Sequence, residues 1–292
     1  MQTESHIDNS TYMRFATYAS VSVAIILIAA KIYAWFLSGS VSIMASVVDS
    51  ILDLIVSFLN LLAIRYALQP PDEEHKFGHN SAEDVAALAQ SAFIAGSAIF
   101  ILFAAIGKFS HPSPVTHSGI GIAVMIFSIV TTLLLVMFQK FVVKKTGSTV
   151  IEADSLHYVG DIFMNASVII ALILSSYFDF QYADPIFAII IAIYIFRGSW
   201  KIGRLAFDKL MDKEFAPEEK KIIIDYVNSV KEAKGIHELK TRYSGIKPFI
   251  QFHLELDGNL TLKEAHDIAD KIEMKLKEMF PNGEVIIHQD PA

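Results

Sequence analysis

The chain has 292 residues, 53% of them hydrophobic, no cysteine and a formal net charge of −7. Without Cys there is neither a disulfide framework nor a thiolate metal ligand, and the acidic balance excludes the basic stripe that nucleic-acid binding requires. A mean hydropathy of +0.45 is too apolar for most soluble domains and points to a lipid bilayer.

The first dozen residues are polar and mildly acidic, with no basic segment leading into a short apolar core, so no cleavable signal peptide is expected. Apolar stretches long enough to cross a bilayer then recur. About six spans are predicted: Arg14–Leu37, Val41–Ala67, Ser81–Lys108, Ser118–Val143, Val150–Tyr177 and Asp184–Arg204. Lys and Arg collect on one side of this bundle, at Arg65 and Lys76, at Lys140, Lys144 and Lys145, and at Arg197, Lys201, Arg204 and Lys209. The opposite loops, Ser38–Ser40, Ser110–His117 and Phe178–Ala183, carry none. By the positive-inside rule both termini are cytoplasmic.

From about Lys209 charges become frequent, so residues 1–208 are expected to form a transmembrane domain and 209–292 a soluble cytoplasmic one. Pro217 opens a helix, IHELKTRYSG and PFIQFHLELDG read as strands, and Thr261 with Glu264 makes a capping box before a second helix. EVIIHQD is a last short strand. Helix–strand–strand–helix–strand suits an open α/β sandwich, like a ferredoxin-like fold lacking its first strand, with helices on one sheet face.

Three groups of residues point to metal. Asp49 and Asp53 share a helix face inside the second span, although each Asp at a membrane centre costs roughly 2.5–3.5 kcal/mol. His157 and Asp161 repeat the spacing in the fifth span. Three carboxylates and an imidazole form an N/O ligand set that tetrahedral zinc accepts. Interhelical hydrogen bonding and a metal-free proton relay are the alternatives, and Lys31 is placed to partner one carboxylate. Asp72, His75 and His79 lie in the polar connection after the second span, where Pro70–Pro71 and Gly78 predict a loop. They resemble an open site that retains water, or else a solvated loop. In the tail, His237, His253, His266 and His288 fall in four different elements, with Asp290 on the same strand face as His288. These are either zinc ligands or surface histidines.

Neither H-E-x-x-H nor paired E-x-x-H occurs, which disfavours a metalloprotease and a di-iron bundle. A divalent cation channel and a membrane metal sensor remain as rival classes.

The paired D-x-x-x-D and H-x-x-x-D, the six spans and the α/β tail resemble the cation diffusion facilitator family. The strings SVVDSILDL, AEDVAALAQS and EADSLHYVGD are similar to the YiiP-type bacterial zinc transporters within it. The resemblance covers nearly the whole chain. It implies a homodimeric, proton-coupled antiporter in the inner (plasma) membrane, working by alternating access and exporting Zn(II), with Cd(II) or Fe(II) as further substrates. It implies no enzyme activity and no organic cofactor. Asp49, Asp53, His157 and Asp161 would be the transport site, and Asp72, His75 and His79 a loop site. His237, His253, His266, His288 and Asp290 would form a regulatory binuclear zinc site, with Gln289 near it.

Overall fold

The computed structural model describes residues 2–39, 41–110, 119–178 and 182–292. These fall into two compact units, Thr11–Ala206 and one containing Phe207–Ala292. Parts of all three loops whose lack of basic residues underlies the predicted orientation, and also His111 and His117, lie outside the described residues.

Six long helices build the first unit: α1 (Gln2–Ser38), α2 (Val41–Ala67), α3 (Ser81–Ser110), α4 (Gly119–Thr146), α5 (Thr149–Phe178) and α6 (Ala183–Leu210). Among the described residues all six are long and apolar enough to cross a membrane. Two boundaries differ from the sequence expectation. Helix α1 begins at Gln2, through the polar segment, because no Gly or Pro interrupts it before Gly39. Helix α6 continues past Arg204 to Leu210, since polarity ends a bilayer span but does not end a helix. Real stops are local: Gly147 takes a φ of +71° and donates its N–H to Val143 O at 2.8 Å, closing α4.

Large apolar side chains cover the outside of the helix unit, and several polar ones lie inside it. Phe100 is 75% exposed and Phe103 68%, as lipid-facing side chains are, whereas Ser20, Asn60, Gln90, Gln139 and Asp154 are buried. In hydrocarbon a polar side chain must find its partner inside the bundle. Helices α5 and α6 approach closely at paired glycines. A Cβ on Gly160 would lie 2.8 Å from Ile195 Cδ1, and one on Gly198 2.8 Å from Leu156 Cδ2. Small residues at such crossings let backbones meet. Gly160 stands between His157 and Asp161, so this packing fixes the depth of α5 where its ligand residues sit.

The second unit contains α7 (Pro217–Ser229), β1 (Gly235–Ser244), β2 (Lys247–Leu256), α8 (Leu262–Met279) and β3 (Glu284–Pro291). The sheet order is β1-β2-β3, antiparallel between β1 and β2 and parallel between β2 and β3. Alternation along β2 turns Ile250, Phe252, Leu254 and Leu256 inward. They pack against Ile223 and Val227 of α7 and Ile268, Ala269, Ile272 and Leu276 of α8. Both helices therefore cover one face, giving the small α/β open sandwich that the sequence predicts. At roughly 1.5–3 kcal/mol per fully buried large side chain, this core is the main driving force for folding the unit.

Candidate metal centres

Helices α2 and α5 bring Asp53, His157 and Asp161 together. One ligand atom from each lies within 4.8 Å of the others. His157 Nε2 is 2.9 Å from Asp53 Oδ1 and 4.0 Å from Asp161 Oδ2. The three line a cavity of about 680 Å³ inside the helix unit, together with Lys31, Asp49 and Asn165. Asp49 lines the cavity but stands outside the close set. Asp49 and Asp53 share one face of α2 at i, i+4, the spacing that lets His157 and Asp161 of α5 meet, so a change of side-chain rotamer at Asp49 is enough to bring it toward the set. Among the described residues, no carboxylate lies within ion-pair distance of Lys31. Its ammonium donates to Ser50 Oγ at 2.6 Å and Ser46 O at 3.3 Å instead.

One turn before His157, Asp154 gathers the bundle. Its Oδ1 accepts from Asn60 Nδ2 at 3.0 Å and Gln90 Nε2 at 3.3 Å, and its Oδ2 from Ser20 Oγ and Gln139 Nε2, each at 2.7 Å. Those donors come from α2, α3, α1 and α4, so a single carboxylate ties five helices together. Because all its strong acceptor positions are taken, Asp154 is a positioning group and not a ligand. Tyr158 adds a hydroxyl contact to Ser57 of α2 at 2.9 Å, and Glu83 of α3 accepts from the first N–H of α5, that of Thr149, at 2.9 Å. Sequence reasoning missed this hub. The visible signal was Asn60, Gln90 and Gln139, amides set within apolar runs.

The loop group forms as a loop, not a helix. Asp72 Oδ1 accepts the backbone N–H of His75 at 2.6 Å and of Glu74 at 3.0 Å, an Asx turn. The His75 bond first, then that from Glu74, holds the Asp72 carboxyl below its usual range. His75 Nδ1 is 3.3 Å from Asp72 Oδ1, and His79 Nε2 is 3.2 Å from Asp72 Oδ2. Buried His79 leans edge-on against Tyr66, at 4.5 Å between ring centroids, and its Nδ1 has no hydrogen-bond partner. Gly78, at a φ of +88°, makes the turn that brings His79 back to His75.

In the tail, strand register does what sequence spacing could not show. His237 pairs with His253 across β1 and β2, and His253 with His288 across β2 and β3. Three imidazoles thus form a row on the sheet face opposite α7 and α8, and Asp290 joins that face two residues after His288. Asp290 Oδ2 lies 2.8 Å from His253 Nδ1 and 3.2 Å from His237 Nε2, while its Oδ1 is 3.2 Å from His288 Nε2. The bond to His253 leads the effects that hold the Asp290 carboxyl below its ordinary value. Glu238, at a β-bulge with a φ of 48°, and Glu255 also approach the row. Neither was singled out from the sequence. One expected member, His266, and the residue expected near the site, Gln289, sit elsewhere. His266 is on α8, across the sheet, with its Nε2 3.4 Å from Asp270, and Gln289 falls on the alternate face of β3 with Val285 and Ile287.

Fold and sites together define a multi-pass membrane protein that handles metal cations. Residues 17–211 match the cation efflux transmembrane domain, and 215–292 match the cation efflux protein cytoplasmic domain. The cation-efflux pump FieF of Salmonella choleraesuis (strain SC-B67) is 45% identical over 287 residues, covering 97% of this chain and 95% of the relative. Protein p34 of Rickettsia rickettsii (strain Sheila Smith) is 44% identical over 279 residues, covering 96% and 92%. The chain belongs to the cation efflux family, the cation diffusion facilitators of the sequence resemblance. It is a membrane transporter of metal cations and not an enzyme.

Proposed function

We propose that this transporter exports Zn(II) from the cytoplasm across the inner membrane in exchange for protons, working as a homodimer with both termini cytoplasmic. The observation that carries the reading is the gathering of Asp53, His157 and Asp161 in an intramembrane cavity. One imidazole among carboxylates favours a borderline cation such as zinc over magnesium or calcium, which prefer all-oxygen sites. Asp49, already on the cavity wall, completes a tetrahedral set after a modest movement of α2 or of its own side chain.

Coupling follows from shared lone pairs. Imidazole and carboxylate bind metal only when deprotonated, so protons and zinc compete for the same atoms. With the site open to the cytoplasm, zinc displaces protons. With it open outward, protons displace zinc, and helix rearrangement carries each load across. Asp154 holds α5 among its four neighbours during that exchange.

The histidine row and Asp290 bind zinc as a regulatory site. His266 cannot reach the row within one chain, because α8 covers the opposite sheet face, so a contribution from it comes from the second protomer. Asp72, His75 and His79 form a weaker site near the cytoplasmic entrance.

Proteoliposome flux tests the transport reading. Asp53→Ala and His157→Ala are expected to lower zinc-driven proton movement by at least ~100-fold while the protein remains folded. Wild-type flux in both variants would overturn the site. A channel would pass zinc with no response to the imposed pH gradient, and a pure sensor would pass none.

A further inference from the structure

We infer that Lys31 is a built-in counter-cation of the transport site, one that loosens the hold on the metal and so speeds its release. The inference rests on the transport-site reading above.

Lys31 reaches α2 from α1. Ser46, Asp49, Ser50 and Asp53 follow one another at i, i+3, i+4 and i+7, which places them on one stripe of α2. The Lys31 ammonium is seated on that stripe by Ser50 Oγ and Ser46 O. It therefore sits on the same stripe as the two acids while its hydrogen bonds go to neutral acceptors. Asp53 and Asp161 stay available to a metal, yet both, with Asp49, act on the ammonium electrostatically, as does the ammonium on them.

Two consequences follow. With the site empty of metal, the carboxylates lining the cavity carry uncompensated negative charge in a low-dielectric bundle, and the ammonium offsets part of it. When a dication occupies the site, the same ammonium repels it across a medium in which charges a few ångströms apart interact far more strongly than in water. Lys31 thus stabilises the unloaded site and opposes the loaded one. Both effects lower affinity, and a transporter that holds its substrate less tightly releases it faster.

The bundle also contains a second seat for the ammonium. Lys31 lines a side cavity of about 50 Å³ with Ser46, Ser128 and Asn165. Ser128 is 3% exposed, and its Oγ has no hydrogen-bond partner. A lysine that swings toward Ser128 exchanges its contact with Ser50 for one with the Ser128 hydroxyl and moves its charge away from Ser50. The long, flexible stem makes that exchange inexpensive.

Zinc titration of the full-length protein in detergent tests the role, in a background carrying Asp72→Ala and Asp290→Ala so that the membrane site dominates the signal. Lys31→Gln keeps a donor toward Ser50 and removes the charge, Lys31→Met removes both, and Lys31→Arg keeps the charge. Lys31→Gln and Lys31→Met are expected to bind zinc at least ~10-fold more tightly. In vesicles with the loop and tail sites intact, both should show a lower KM for zinc and a lower kcat, with Lys31→Arg near wild type. General damage to the bundle loosens metal, so tighter binding has no purely structural explanation. Unchanged or weaker zinc binding in both uncharged variants would overturn the role. Asp53→Ala run alongside separates the two readings. If it loses zinc while the uncharged Lys31 variants keep wild-type affinity, only the role of Lys31 fails. If it retains zinc, the transport site itself is misassigned and the role of Lys31 falls with it.

Discussion

Replacing Asp154 by Ala removes the one group, among the described residues, that Asn60, Gln90 and Gln139 all donate to. Breaking a buried charged network by deleting one member costs about 3–5 kcal/mol. Asp154→Ala is therefore expected to lower the thermal unfolding midpoint of the detergent-solubilised protein sharply. Asp154→Asn keeps the shape but points an NH₂ at other donors, and should cost roughly 1–3 kcal/mol. Equal stability of Asp154→Ala and wild type would remove Asp154 as the organising residue. At this scale the sequence marked out the acids and imidazoles that the bundle gathers, because an acid or imidazole in an apolar run has few excuses. It selected Asp161 by its spacing from His157 and gave Asp154 no role. What Asp154 does came only from the structure, through four donors from four other helices.

Among the elements, α8 gives the sharpest case of local control. Thr261 Oγ1 accepts the N–H of Glu264 at 3.3 Å, and Glu264 Oε2 accepts the N–H of Thr261 at 2.8 Å, the capping box read from T-x-x-E. The backbone bond from Thr261, then its hydroxyl, holds the Glu264 carboxyl below the ordinary 4.5. A depressed carboxylate stabilises the fold above its unfolded pKa and loses that contribution as pH falls through the folded one. The stability of the tail should accordingly decline on acidification below about pH 4.5, and Glu264→Gln should flatten that limb of a pH–stability curve. Thr261→Ala should cost about 1 kcal/mol at neutral pH in chemical denaturation. An unchanged acid limb in Glu264→Gln would show that other carboxylates set it. Caps are legible because donor and acceptor are three residues apart. The extension of α1 back to Gln2 was not, because hydropathy marks where a helix leaves the bilayer and is silent about where its hydrogen bonds stop.

For the whole molecule, the tail has a hydrophobic core of its own, so residues 207–292 should fold when expressed alone. Binding to the native state alone adds about 2.7 kcal/mol when free zinc is 100-fold above Kd. For a unit of this size that corresponds to a midpoint rise of roughly 10–20 °C. Zinc should produce that shift, a chelator should reverse it, and Asp290→Asn should abolish most of it. A zinc-insensitive midpoint in differential scanning calorimetry would leave the histidine row without metal.

The sequence by itself determined the class of the protein: six apolar spans, an α/β tail, and acids and histidines whose presence in hydrocarbon or in one small domain asks for a cation. Those features depend on composition and short-range periodicity, which neighbouring residues carry within themselves. Only the tertiary structure decided which of those side chains stand together. Strand register put His237, His253 and His288 in a row and left His266 and Gln289 on other surfaces. Helix packing brought Asp53 to His157, held Asp49 a turn away, and made Asp154 the meeting point of five helices. Such choices depend on which faces of distant elements meet at a separation of a few ångströms, and no spacing along a single chain segment encodes that.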